Sequence, residues 1–371
     1  MGATAHHEAT EHDARPGAAR MAAVQSSAER PVLAVDLGGT QIRAALITPD
    51  LSVHSRRAVP TNDEDGVDTV LGRIREVAAA VRDDAVTEGH PAPIGMGISA
   101  PGPLDPWRGV VLTPPNLAGW RNVPIAARIA ETTELPVYLE RDTNVALMAE
   151  WRYGAARGTR NAIYITVSTG IGGAVILDGR PVQGTDGTAG EVGHVTVELD
   201  GPTCGCGGIG HVEAIASGTA LAREARAMLT DVPDAPLARL AASGEEVDAE
   251  LVARAAAQGD ERCNALLERA FTAVGALCAS LVNLLDPQVI VIGGSIAEHH
   301  PRLFEVARRE LERRAFPILL DGVRIEPAAL GGDVSLIGAL PIVNDRIGDP
   351  AFVTGSHRPP AAALQQGAFR P

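Results

Sequence analysis

The sequence has no lysine. Its 32 positively charged side chains are all arginines, and 46 carboxylates outnumber them, for a formal net charge of −14. The absence excludes lysine-based catalysis and the phosphate loop G-x-x-x-x-G-K-[ST], which cannot be written without lysine. An acidic balance also argues against a nucleic-acid groove, which needs a basic stripe. Cysteine is scarce: there are four, two of them almost adjacent. That distribution does not suit a disulfide scaffold and fits a reducing cytoplasm. No apolar run approaches the ~18 residues of a membrane span. The opening "MGATAHHEATEHDARPG" lacks the apolar centre of a secretory signal. Neither nucleic acid nor membrane is an expected partner.

What is present suits an α/β enzyme. The 371 residues are 45% apolar, enough for about two domains with cores of their own. Residues 1–29 and 348–371 are polar or low in pattern and read as disordered tails. His6, His7 and His12 in the first tail suit solvated residues better than metal ligands. Between the tails, strands and helices alternate. Strands are expected at 31–37, 41–47, 51–59, 93–99, 136–140 and 289–294. Helices are expected at 64–88, 123–134, 143–154, 218–229, 262–286, 301–315 and near 335–345, with a loop at 100–120. In the longest helix Cys263, Leu267, Ala270, Val274, Cys278, Leu281 and Leu285 share one face, which makes those two cysteines core residues.

The pattern restarts near residue 161. "VLAVDLGGTQIRAALI" and "NAIYITVSTGIGGAVIL" are both strand, small-residue turn and returning strand. This reads as an internal duplication, one hairpin opening each half. In "DLGGTQIR" the carboxylate of Asp36 ends a buried strand, and Gly38, Gly39 and Thr40 follow. Such a turn can close backbone N–H groups around phosphate oxygens, with Asp36 placed to hold Mg²⁺ beside them. Alone, it suits an ordinary hairpin equally well. The second turn, Ser168 to Gly173, weakens that alternative, because two such turns could clamp a nucleotide between two halves. A third glycine pair, Gly293-Gly294, ends a strand before a helix and suits an adenosine-side loop.

Other segments carry chemistry of their own. Asp142 stands where strand 136–140 meets helix 143–154. Its residue type and position fit either a helix N-cap or the carboxylate that deprotonates a hydroxyl. "TCGCGGIGHVE" packs Cys204, Cys206 and His211 into a glycine-rich loop, a pattern suited to a zinc knuckle.

Taken together, "VDLGGTQIRAAL", "GISAPGPLD", "NLAGW", "ERDTN", "STGIGGAVI", "GEVGHVTV" and "CGCGGIGHVEAIASG" resemble the ROK family of repressors, open reading frames and sugar kinases, over about residues 31–345. The resemblance implies a two-domain actin-like ATPase fold (ribonuclease H-like) with a cleft between the domains. A small domain would comprise 30–155 and 333–347, and a larger one 156–332. It implies an ATP-dependent hexose kinase using Mg²⁺, acting on the 6-hydroxyl of glucose or an N-acetylhexosamine, and a homodimer or homotetramer. Asp142 would be the catalytic base. Gly102, Asn116, Arg141, Glu191, His194 and Glu213 would contact the sugar. Phosphate contacts would come from Asp36, Gly38, Gly39, Thr40, Gln41, Arg43, Thr169, Gly170, Gly172, Gly173, Gly293 and Gly294. His194, Cys204, Cys206 and His211 would hold a structural Zn²⁺, with His211 where the family has a third cysteine. Arg141 departs from the family's usual Asn, and Ser168 from its Gly-Thr-Gly turn. The segment before Asp36 lacks an amphipathic pattern, so a helix-turn-helix domain is not expected. A sugar-sensing regulator or a non-catalytic sugar binder remain the alternatives.

Overall fold

The computed structural model describes residues 29–229 and 235–352. The chain begins with two hairpin-forming strands, β1 (Val32–Leu37) and β2 (Gln41–Ile47), followed by β3 (Val53–Pro60). Helix α1 (Val67–Thr87) starts at Gly66, after a separate 3₁₀ turn at Asp63–Asp65, so the expected helix from residue 64 begins three residues late. Then come β4 (Met96–Ala100), a small hairpin of β5 (Leu104–Asp105) and β6 (Val110–Val111), helix α2 (Ile125–Thr133), β7 (Val137–Arg141) and α3 (Asp142–Tyr153). The hairpin lies inside the segment expected to be loop; its strands are two residues each, too short for a periodic signal.

The second half repeats the plan. It has β8 (Ala162–Val167), β9 (Ile171–Leu177) and β10 (Arg180–Pro181), then α4 (Glu213–Ala216), α5 (Gly218–Met228), α6 (Pro236–Ala242), α7 (Ala249–Ala257) and α8 (Glu261–Leu285). It closes with β11 (Val289–Gly293), α9 (Ser295–His299), α10 (Pro301–Arg314), β12 (Arg324–Pro327), α11 (Val334–Ile337) and α12 (Ala339–Arg346). Helices α6 and α7 and strand β12 were not foreseen. The two helices are short and rich in alanine, which leaves few large apolar side chains to mark a stripe.

The strands form two five-stranded sheets, β3-β2-β1-β4-β7 and β10-β9-β8-β11-β12. Each is an antiparallel three-strand meander joined to two parallel strands. The duplication suspected from the two hairpins therefore extends across whole sheets. Alternation along the strands separates two cores. Leu33, Val35 and Leu37 face α1 and α2, whereas Val32 and Ala34 face the opposite way. That opposite face joins Tyr164, Ala174 and Val291 of the second sheet in one continuous cluster with α3 and α12. The far face of the second sheet packs on α8 and α10. The order of layers is thus helices, sheet, helices, sheet, helices.

Gly338 allows the middle layer to close. A Cβ there would lie 2.2 Å from the Val145 carbonyl of α3, so the start of α12 can approach α3 only as glycine. Helix α8 is long and apolar enough to cross a membrane by length and composition alone, contrary to the expectation from sequence. Its apolar side chains, including Cys263, Phe271, Val274 and Cys278, are instead buried in the core of the second half. Burial pushes the Cys263 and Cys278 thiols up to about 11 and about 12.

The expected tails are shorter where the structure describes them. Tyr153 donates to the Glu29 carboxylate at 2.7 Å, and the Arg30 N–H donates to Asn344 Oδ1 at 3.1 Å. At the other end Phe352 meets Tyr138 edge-on, and the Arg346 guanidinium lies 4.4 Å from its ring centre. Phe352 is therefore packed against the body, while residues 348–351 are exposed. His6, His7, His12 and the remaining tail residues lie outside the described residues.

Candidate active site

Parallel strands create the site. Asp36 on β1, Ser99 on β4 and Glu140 on β7 are in register, so the turns after these strands emerge together at one edge of the first sheet. Ligands in open α/β sheets bind beyond such carboxyl ends. The Asp36 carboxylate does not stand alone. Its Oδ2 accepts from Arg43 Nη2 at 2.6 Å and Nε at 3.1 Å, across the β1–β2 pair. Arg43 also donates to the Gly332 carbonyl and to Ser335 Oγ, both at 2.8 Å. Arg43, expected among the phosphate contacts, ties Asp36 to the start of α11. The turn itself is closed by the Gly38 N–H on the Gln41 carbonyl at 3.0 Å, leaving Thr40 and Gln41 exposed. Gly39 lies under the 112–120 loop: a Cβ there would come 3.1 Å from the Asn116 carbonyl.

Asp142 opens α3 directly after β7, and Arg141 occupies the N-cap position. One oxygen of Asp142 accepts from the Thr143 N–H at 2.7 Å. Its carboxyl is pushed up to about 6. The protein mass that strips water from it is the main cause. The Asp36 and Glu191 carboxylates add to it, while the Thr143 N–H and Arg141 oppose it. The side chain nonetheless remains exposed to solvent.

Beneath this aspartate, Glu140 is fully buried and paired with Arg346. It also accepts from the Arg141 N–H at 2.9 Å, Asn144 Nδ2 at 2.8 Å and Gln183 Nε2 at 3.0 Å. Burial alone would raise its pKa; Arg346 and these donors outweigh burial and hold it below the usual range. The network ties β7, α3, α12 and the segment after β10 into one floor.

Facing this floor is the second half. Glu191 lies beside Arg141, whose Nη1 donates to it at 2.6 Å. Gly102 adjoins both: a Cβ there would lie 3.1 Å from Arg141 Cδ and 3.9 Å from Glu191 Oε1. Glu213 reaches the second glycine turn, accepting the Ile171 N–H at 3.0 Å, close against Gly170. Its other oxygen lies 3.6 Å from Cys204 Sγ. His194, Cys204, Cys206 and His211 each offer a ligand atom, and these atoms all lie within 4.8 Å of one another. Two short bridges, Thr196 to His211 and Thr203 to Ile209, fold the loop so that they meet. Gly208 makes room for the His211 ring, since a Cβ would come 2.2 Å from it.

Beside the second turn a cavity of about 630 Å³ opens between α5, α7 and α9. Ser168 and Thr169 line it, and the Ser168 and Ser295 hydroxyls are 2.9 Å apart. Gly294 has φ +93°, and a Cβ would lie 2.5 Å from the Val167 carbonyl, so the β11–α9 corner needs glycine. Thr219, Arg226, Asp248 and His300 also line the cavity and were not foreseen. They lie on separated segments; two N-caps left local signals, Ser217 of α5, which accepts the Ala220 N–H at 3.1 Å, and Asp248 of α7, which accepts the Leu251 N–H at 2.8 Å. Gly172 and Gly173 lie on β9 rather than in the turn.

The ROK family profile matches residues 32–346, nearly all of the described chain. The chain belongs to the ROK family. It is 34% identical over 317 residues to the glucokinase of Thermotoga maritima, covering 85% of this chain and 98% of that protein. It is 34% identical over 308 residues to the N-acetylmannosamine kinase of Salmonella arizonae, covering 83% and 96% of the two chains. Among solved structures, a ROK family glucokinase from Streptomyces griseus in complex with glucose and AMPPNP is similar, with a TM-score of 0.68 and 32% identity. The match covers 84% of this chain and 98% of that one. The actin-like fold and the sugar-kinase class expected from the ROK motifs both hold.

Proposed function

We propose that this ATP-dependent sugar kinase uses Asp142 as the base that deprotonates a sugar hydroxyl, the 6-hydroxyl of glucose or of an N-acetylhexosamine. The observation that carries this reading is the setting of Asp142. It stands at the carboxyl edge of the first sheet, open to the cleft, with a carboxyl pushed up to about 6 and one oxygen engaged by the Thr143 N–H. Such a carboxylate is ionised at neutral pH yet basic enough to take a proton. The sugar would lie between Gly102, Asn116, Glu191, His194 and Glu213. Phosphoryl transfer then needs little beyond alignment and charge support. The two turns would hold the phosphates, and the 630 Å³ cavity would take the adenosine. Asp36 is a suitable oxygen donor for Mg²⁺, which when bound supplies charge neutralisation on the phosphates.

The four-residue cluster fits Zn²⁺. Zinc–nitrogen and zinc–sulfur bonds of about 2.0–2.3 Å imply tetrahedral edges of about 3.3–3.8 Å. The Cys204 Sγ–His194 Nδ1 and Cys206 Sγ–His211 Nδ1 separations are 3.8 Å and 3.3 Å. A closed Cys₂His₂ set leaves no position for substrate, so the ion's part would be structural: it fixes the loop that carries Glu213 and the segment after Glu191. We likewise take 30–155 with 333–347 and 156–332 as the two moving bodies.

The test is ADP release, measured with glucose, N-acetylglucosamine, N-acetylmannosamine, mannose, fructose and allose. Turnover with at least one of these supports the reading. Sugar binding without ADP release would move the chain to a non-catalytic sugar sensor.

A further inference from the structure

We infer that Arg141 is a positioning residue for the sugar site: a three-point clamp that holds Glu191 in place and restricts the site to sugars without an anionic group. The inference rests on the proposed sugar site and names the class of sugar it takes.

The geometry is specific. Arg141 ends β7 of the first sheet, and only 4% of it is exposed. Its Nη1 donates to Glu191 Oε1 at 2.6 Å, and its Nη2 donates to the Gly173 carbonyl at 3.1 Å and to the Ala189 carbonyl. Asn144 Oδ1 lies at 3.4 Å from the same nitrogen. Gly173 is on β9, while Ala189 and Glu191 belong to the segment after β10. One guanidinium from the first sheet thus grips three points of the second. The Glu191 side chain, 45% exposed, would otherwise be free to rotate in the cleft.

A planar fork suits this task; an ammonium or an amide does not. Nη1 is engaged by a carboxylate and Nη2 by two carbonyls, and Nε has no partner but is buried away from a ligand. Its positive charge is matched by Glu191, as that of Arg43 is matched by Asp36. Asp142 and Glu213 add further acidic groups around the cleft. A uronate or sugar phosphate therefore meets repulsion from Asp142, Glu191 and Glu213. A neutral sugar meets a fixed acceptor, whose ordering is already complete before binding.

The experiment compares the full chain with Arg141→Asn and Arg141→Lys, by calorimetry for sugar Kd and by steady-state kinetics. Glucose and N-acetylmannosamine serve as substrates, and glucuronate as competitor. Arg141→Asn should raise sugar Kd and KM by about ten-fold or more, a larger change than that in kcat. Arg141→Lys keeps the charge but not the fork, and should fall between the two. In the wild type, glucuronate should compete at least about 100-fold more weakly than glucose. Unchanged Kd in Arg141→Asn, or glucuronate competing as well as glucose, overturns the inference. If Arg141→Asn does not fold, Arg141→Lys carries the test alone, and an unchanged Kd there overturns the clamp. A wild type that binds sugar without turnover defeats the kinase reading but leaves the Kd comparison intact.

Discussion

The two glycine turns occupy equivalent places in equivalent sheets, yet their surroundings differ. Around the first, charge is tightly engaged. Asp36 is gripped by Arg43, Gly39 is roofed by Asn116, and Asp142 stands nearby with its pKa raised. The second turn opens onto a cavity on one side and a glutamate on the other, and that glutamate touches the cysteine cluster. On the proposed function the duplicated scaffold is divided by task. The first half would supply the group that changes protonation, and the second shape and anchorage. Damage to the first should appear in kcat, and damage to the second in KM and stability.

The largest test is on the first side. Asp142→Asn should lower kcat by about 10²–10⁴ with the fold retained, measured as ADP release alongside circular dichroism. Its amide oxygen can still accept the Thr143 N–H. A residual rate near that of the wild type would end the division of tasks proposed here.

Next in size is pH. The base must be ionised, so kcat/KM should fall by about ten-fold per unit below the Asp142 pKa of about 6. The sign for stability is opposite. A folded-state pKa raised above the unfolded value stabilises the native state at low pH, and that contribution is lost as pH rises through about 6. Asp142→Asn should therefore melt no lower than wild type at pH 8 and lose any advantage at pH 4. Thermal melts at the two values check this.

On the second side, Cys204→Ala should remove zinc and raise sugar KM by about 10- to 100-fold, with a smaller change in kcat. Zinc per chain, measured by elemental analysis beside kinetics, decides it. Full zinc content in the variant would break the link between the knuckle and Glu213.

The smallest effect compares the glycines themselves. Gly294→Ala places a Cβ 2.5 Å from the Val167 carbonyl at φ +93° and should cost about 1–3 kcal/mol in chemical denaturation. Gly38→Ala meets one backbone oxygen at 3.0 Å and should cost less. Equal losses would erase the distinction between the first turn and the β11–α9 corner that flanks the second.

Much of this was legible along the chain. The strand–turn–strand units at 31–47 and 161–177 predicted both hairpins, because mostly apolar runs on either side of a small-residue turn announce themselves locally. Asp142, Cys204, Cys206 and His211 stood out by residue type and spacing. The Asp36–Arg43 pair was not foreseen, because the partners lie across a strand pair and no linear motif records that they are in register. The residues of the cavity were missed because α5, α7 and α9 each contribute only a few of them.

Sequence alone determined the family, the alternating strand plan and the residues able to carry acid–base and metal chemistry, because these rest on residue type and short-range order. The tertiary structure decided what each charge is paired with. Asp36 is held by Arg43, Glu140 by Arg346 and Glu191 by Arg141. Each carboxylate's basicity and freedom depend on partners brought from distant strands and helices, and only the packed fold determines which ones arrive.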